Sequence, residues 1–92
     1  MDEPRITVMI PVFNMQETIT RAIDSFFRQD YENKEILVLD GGSTDNTVNL
    51  VKQYGGSIDY FVSQKDGGPS DTMAKNLKHA TGDLVAILGA DD

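Results

Sequence analysis

The chain has no cysteine and a single histidine, His79. Disulfides and thiolate metal sites are thereby excluded, and so is a histidine-rich zinc centre. A metal bound here must be hard and oxygen-ligated, which means magnesium or manganese. No apolar run approaches the ~18 residues of a membrane-crossing helix, so the sequence shows no membrane segment. Met1–Arg5 lead into a strand rather than into the apolar stretch of a signal peptide. The expected location is therefore cytoplasmic, with a longer parent able to sit at the inner face of the membrane. Basic residues are scarce as well. Eight Lys and Arg face fifteen Asp and Glu, for a formal net charge of −7. Such a chain is no non-specific nucleic-acid binder. The acidity favours solubility, and carboxylates collected at one ligand edge would call for a cation.

Ninety-two residues, 39% of them hydrophobic and 25% charged, suit one small globular domain. Ile6–Val12 is nearly all apolar and rich in β-branched residues, the pattern of a strand buried on both faces. Asn14 stands where it would cap the next helix, and Glu17 lies three residues on in capping-box position. Ile19, Ala22, Ile23, Phe26 and Phe27 then predict one apolar helix face. Glu35–Leu39 reads as a second buried strand ending at Asp40. Gly41-Gly42 turns the chain, and Ser43 or Thr44 caps a second helix with Thr47, Val48, Val51 and Tyr54 inside. Gly55-Gly56 stops that helix, and Ile58–Val62 predicts a shorter strand. After a polar loop over Gln64–Gly68, Pro69 opens a third helix with Met73, Leu77 and Ala80 inside and Gly82 at its end. Leu84–Leu88 predicts a fourth buried strand.

The order βαβαβαβ with short connections implies an α/β fold: a Rossmann-like, parallel four-stranded sheet with right-handed crossovers and helices on both faces. Ligands of such sheets sit beyond the carboxyl ends of the strands. Pro11–Asn14, Asp40–Gly42, Gln64–Gly68 and Asp91-Asp92 fall there. Neither GxGxxG nor GxxxxGK[ST] occurs, so a dinucleotide fingerprint and a phosphate-cradling P-loop are both missing. Carboxylates repel phosphate, so a phosphorylated ligand at this edge needs a divalent ion between them. The chain stops on the carboxylate pair Asp91-Asp92. A functional pair at a fraying terminus is a poor site, so the expectation is a truncated domain.

Several segments in order carry a resemblance. Ile10-Pro11-Val12-Phe13-Asn14 with Glu17, the run Val38–Thr47, Ala80-Thr81-Gly82-Asp83 and the closing Ala90-Asp91-Asp92 resemble the family-2 inverting glycosyltransferases of the GT-A fold. Ser63–Lys75 is similar to a subgroup with the pattern acidic-x-Asp-x-Gly-x-x-Asp-x-x-Asn-Lys-Gly. The resemblance covers Ile6 to Asp92 and implies a metal-assisted transfer of a sugar, with inversion, from a nucleotide-sugar donor to an acceptor hydroxyl. A UDP- or dTDP-sugar is the implied donor, and an acceptor sugar or a lipid-linked glycan the implied acceptor. Residues 1–92 would form the N-terminal nucleotide-sugar-binding part, without the catalytic base, and would be inactive alone.

By position, the resemblance makes Pro11, Val12 and Phe13 a wall against the nucleobase and puts Glu17 near the ribose or base. It makes Asp40 the acceptor for the base's imide N–H. Asp66, Gly68 and Asp71 would face the same nucleotide, Asp91 the ribose, and Asp92 would hold Mg²⁺ or Mn²⁺ as the end of a DxD-type motif. Four positions depart from the pattern. Gly41 and Gly89 stand where many relatives carry acids, and Ala74 and Asn76 alter the Asn-Lys-Gly segment. Plainer readings stand beside these. Glu17 also suits a capping box, Asp40 a turn acid bonding Gly42 or Ser43 N–H, and Asp66 and Asp71 solvated positions. Two other classes share the layout: a receiver-like magnesium-binding signalling module with Asp40 as phosphoacceptor, and a nucleotidyltransferase.

Overall fold

The computed structural model describes residues 3–65 and 77–89. Four strands, β1 (Ile6–Val12), β2 (Lys34–Asp40), β3 (Tyr60–Ser63) and β4 (Leu84–Ile87), form one sheet in the order β3-β2-β1-β4. Every pairing is parallel, with Ile6 opposite both Lys34 and Leu84, and Leu37 opposite Tyr60. The chain steps outward from β1 through β2 to β3, then returns to pair β4 with the free side of β1. The direction of winding thus reverses between β1 and β4, the switch point where open α/β sheets hold ligands.

Helix α1 (Ile19–Arg28) forms because Ile19, Ala22, Ile23 and Phe26 recur on one side and all are buried. Phe27, expected on the same face, is instead half exposed, edge-on to Phe26 and stacked on Tyr54 at 6.2 Å. Lys34 Nζ closes the helix's last turn by donating to the carbonyls of Phe26 and Gln29. Helix α2 (Thr47–Lys52) is short and buries Thr47 and Val51. Both helices pack on one face of the sheet, where Ile10, Val12, Ile36, Val38, Ile19, Ile23, Phe26, Val51 and Ile58 make the main core. Met9, Leu37 and Leu39 line the opposite face, where Ala80 packs. Ala80 belongs to the return connection from β3 to β4, as a right-handed crossover in the reverse direction requires. The expected third helix, Pro69 to Ala80, lies largely outside the described residues; its described end is a 3₁₀ turn at Leu77–His79.

β2 is buried at six successive positions, as its apolar run predicts. β4 departs from expectation: Leu84, Val85 and Ile87 are exposed. An apolar run reports what a strand can bury, not whether neighbours reach it, and among the described residues β4 pairs with β1 alone. Pro11 is tolerated in β1 because Val12 O accepts from Gly41 N on the β2 side. By the alternation of a parallel ladder, Pro11 then faces the β4 side, beyond the last pair Met9–Ile87.

Candidate functional site

The carboxyl ends of β1, β2 and β3 meet in one rim. Val12 and Asp40 are register partners, and Gly41 N donates to Val12 O at 2.9 Å. Phe13 stands at the rim, 51% exposed, with its ring beside Gly41. Gly42 has φ +95° and lies so close to Lys65 that an added Cβ would come within 3.1 Å of its Cα. Glycine is required there on both counts. Gln64 N donates to Asp40 O at 2.9 Å, which joins the end of β3 to the same turn.

Asp40 is fully buried. Its Oδ2 accepts from Gly42 N at 2.9 Å, Ser43 N at 2.9 Å and Ser63 Oγ at 2.8 Å, and its Oδ1 accepts from Ser43 Oγ. A carboxylate so occupied and so enclosed braces the β2 turn; it has no open face to meet a nucleobase. The Gly42 and Ser43 N–H bonds are those of the turn acid read from the sequence. The same burial removes the phosphoacceptor that a receiver-like module needs. Val12 is also corrected: its side chain lies in the main core. Of the expected base wall, only Phe13 and the half-buried Pro11 reach the rim.

The two loops that follow β1 and β2 are laced together. Asn14 adopts φ +51°, a left-handed conformation that asparagine tolerates better than most residues. In that pose its Oδ1 accepts from Thr44 N at 2.7 Å and Asp45 N at 3.3 Å. Its own N–H donates to Ser43 Oγ at 2.7 Å. Gln16 Oε1 accepts from Asn46 N at 2.9 Å, and Met15 N donates to Thr47 Oγ1 at 2.9 Å. Asp45 accepts from Thr47 N and its hydroxyl, and from Gln16 N. Slight burial raises the Asp45 carboxyl, and these donors outweigh that and hold it below its ordinary value. The expected capping box is thus replaced. Asn14 serves the start of the other loop, Thr18 precedes α1 without a side-chain cap, and Glu17 is exposed with no hydrogen bond among the described residues. Glu17 instead lines a hollow of roughly 200 Å³ with Asn14, Met15, Gln16, Thr18 and Asp45.

Sequence reasoning missed Ser63 as a brace and the trans-capping by Asn14 and Gln16. The signal for the first was a small hydroxyl residue at the end of a strand; for the second, two amides facing a Ser-Thr-Asp-Asn-Thr run. Asp66, Gly68, Asp71, Asp91 and Asp92 lie outside the described residues. Among the described residues no group of three His, Cys, Asp or Glu could hold a metal.

Comparison with known proteins adds a family. The chain is 33% identical over 93 aligned residues to the UDP-Glc:alpha-D-GlcNAc-diphosphoundecaprenol beta-1,3-glucosyltransferase WfgD of Escherichia coli, covering 100% of this chain and 37% of that protein. Among solved structures it is similar to the mannosyltransferase PcManGT of Pyrobaculum calidifontis in complex with GDP-Man and Mn²⁺. There the TM-score is 0.89 and the identity 31%, over 98% of this chain and 28% of that one. It is also similar to S. aureus TarS in complex with UDP-GlcNAc, with TM-score 0.82 and 28% identity, over 95% of this chain and 26% of that one. The chain therefore spans well under half the length of each of these relatives, and the parallel sheet with its helices is the GT-A-like fold of such enzymes. Residues 7–92 match the family described as glycosyl transferase family 2, and the chain belongs to that family.

Proposed function

We propose that residues 1–92 are the nucleotide-binding part of a glycosyltransferase that moves a sugar from a nucleoside diphosphate donor to an acceptor hydroxyl, with inversion at the anomeric carbon. The observation that supports this best is the rim itself. A parallel sheet reverses its winding between β1 and β4, and beside that point an exposed Phe13 flanks a glycine turn rigidly held by Asp40. An exposed aromatic ring next to a side-chain-free turn suits a flat base. Phe13 and Pro11 take the base-wall role, and Glu17 reaches toward the ribose from its hollow. Asp40 acts on the base only through the turn it holds. Asp66, Gly68 and Asp71 complete the nucleotide contacts, and Asp91 approaches the ribose.

β4 runs parallel to β1 and Leu88 N donates to Met9 O at 3.0 Å, so the chain leaves Gly89 toward the same rim. Asp92 follows three residues later and is the residue to hold Mg²⁺ or Mn²⁺. A divalent ion there neutralises oxygens of the departing diphosphate. The DxD-type motif thus ends on Asp92, and the acceptor site and base belong to sequence beyond it. An acceptor glycan on a lipid carrier, as the name of the E. coli relative states for that protein, would place the parent at the inner membrane face. No helix of the described residues is long and apolar enough to cross a membrane.

The test is calorimetric titration of the parent protein, extending past Asp92, with UDP and GDP, with and without Mn²⁺. Manganese should tighten binding at least tenfold, Asp92→Asn should remove most of that gain, and Asp30→Asn, at a distant acidic site, should leave it intact. Equal binding with and without the ion sinks the metal role of Asp92; no nucleotide binding under either condition sinks the donor-site reading.

A further inference from the structure

Phe13 turns half of its surface to solvent at the rim, and the Cβ that Gly41 lacks would stand 3.8 Å from Phe13 Cδ1. Packing alone does little to hold such a ring, because a half-exposed side chain has few neighbours to confine it. Its pose must come from the backbone on either side. Before it, Val12 is buried in β1 and its carbonyl accepts from Gly41 N at 2.9 Å. After it, Asn14 turns the chain at φ +51°, a conformation that a residue with a Cβ keeps only where its surroundings impose it. The β2 turn imposes it. Asn14 Oδ1 accepts from Thr44 N at 2.7 Å and Asp45 N at 3.3 Å, and Asn14 N donates to Ser43 Oγ at 2.7 Å. Phe13 is thus slung between two anchors, and both lie on the same turn.

The bond to Ser43 differs from the other two in where it leads. The amide oxygen of Asn14 ends on backbone N–H groups just before α2, where water can take its place. Ser43 Oγ instead donates to Oδ1 of Asp40, which is fully buried. Chemistry fixes the direction of this relay. A backbone N–H can only donate and a carboxylate can only accept, so the one hydroxyl proton of Ser43 lies toward Asp40 and a lone pair toward Asn14. Asp40 Oδ2 meanwhile holds Gly42 N and Ser43 N at 2.9 Å and Ser63 Oγ at 2.8 Å, so the foot of the relay is itself braced. Alanine at position 43 would keep the backbone bonds of the turn and leave Asn14 N without its partner. Asn14 could then relax toward negative φ and swing Phe13 away from Gly41.

We infer that Ser43 is a positioning residue for the nucleobase: its hydroxyl, set by Asp40, holds Asn14 N and so keeps the Phe13 ring beside Gly41 as a platform already in place before the ligand arrives. The inference rests on the base-wall role proposed for Phe13. Its test is a double-mutant cycle on the parent protein, titrated in one fixed buffer with UDP or GDP, whichever the unaltered parent binds more tightly. Phe13→Ala should weaken binding about tenfold, within the range of base–aromatic stacking. Ser43→Ala should forfeit most of that, about fivefold, while Phe13 is present. In the Phe13→Ala background it should cost less than about twofold, because a group that acts through the ring has nothing left to place. Ser43→Cys keeps the size and offers only a weak acceptor, so it makes the same comparison should Ser43→Ala not fold. A serine that merely steadied the turn would weaken binding by the same factor in both backgrounds. Equal losses in the two backgrounds, or no loss from the Ser43 substitution, overturn the inference and leave the base wall standing. Undiminished binding in Phe13→Ala overturns the base wall and the inference with it, and binding of neither nucleotide by the unaltered parent overturns the donor-site reading beneath both.

Discussion

Replacing Asp40 by Asn separates two roles that a carboxylate at a strand end can have. In the structure both oxygens are engaged, with three donors on Oδ2 and the Ser43 hydroxyl on Oδ1. Asparagine can keep an oxygen at Oδ2 but loses the charge, and its amide then faces Ser43 Oγ, which already accepts from Asn14 N. Hydrogen bonds to a charged acceptor contribute about 1.5–3 kcal/mol, against about 1 for neutral ones. A loss of roughly half a kcal/mol at each of four bonds gives about 2 kcal/mol, or roughly 8–16 °C in Tm for a domain of this size. Differential scanning calorimetry reads the stability, and UDP titration below the new Tm reads the site. The expected result is a large drop in Tm with binding weakened only several-fold, through a looser turn. A Tm within about 2 °C of the original together with abolished UDP binding would refute the brace and restore a direct contact with the base.

Stability should also depend on pH through Glu35. Burial alone would raise its carboxyl, but donors from Thr7, Thr81 and Arg5 outweigh that and bring it from 4.5 to about 2. The stabilisation is therefore complete above about pH 4.5 and lost as pH falls toward 2. Its full size is about 3 kcal/mol, and urea unfolding across that window should show a slope that Glu35→Gln removes. Gly82→Ala should cost about 1–3 kcal/mol by forcing Thr7 and Arg5 apart, whereas Gly56→Ala, with open space around the new methyl, should be neutral or slightly stabilising in the same urea assay. Asn14→Gly should cost about 1 kcal/mol by removing the oxygen that caps Thr44 and Asp45. Asn14→Ala should cost about 1–2 kcal/mol more, because alanine resists φ +51°. Thermal melts of the pair measure that difference directly.

The sequence announced the parallel sheet because period and run length are local properties: β1 and β2 lie where their apolar runs are, and the four buried positions of α1 fall at the predicted spacing. β4 also lies where its apolar run is, but its burial and that of Phe27 were misjudged for a shared reason, since hydrophobicity does not say which partner is within reach. The site was legible only in part. Phe13 and Glu17 reach the rim or its hollow as their place in the sequence suggests. The bonds of Asp40 to Gly42 and Ser43 N–H were legible as those of a turn acid, but its Ser63 brace and the Asn14 cap could not be read from spacing, because those partners come from the next strand or the other loop. Asp40 is braced by Ser63, 23 residues away, and Asn14 caps backbone some 30 residues away. A capping box and a trans cap use the same residue types. Only the strand order, which brings the β1 and β2 loops side by side, decides between them.

That lacing bears on how a diphosphate is held. The start of a helix often binds phosphate through free backbone N–H groups, and α2 begins at this rim. Here those groups are already taken: Thr44 and Asp45 N donate to Asn14, Asn46 N to Gln16, and Thr47 N to Asp45. The start of α2 is closed to an anion by the same bonds that make the rim rigid. Among the described rim residues the one basic side chain is Lys65, which lies against Gly42. One lysine beside Asp40, Asp45 and Glu17 leaves the described rim acidic, which is why the proposed function brings a divalent cation with the diphosphate. On the proposed function the closed helix start and the metal would be two parts of one arrangement: the rim spends its backbone donors on holding its own shape, and the ion would supply the charge that those donors no longer can.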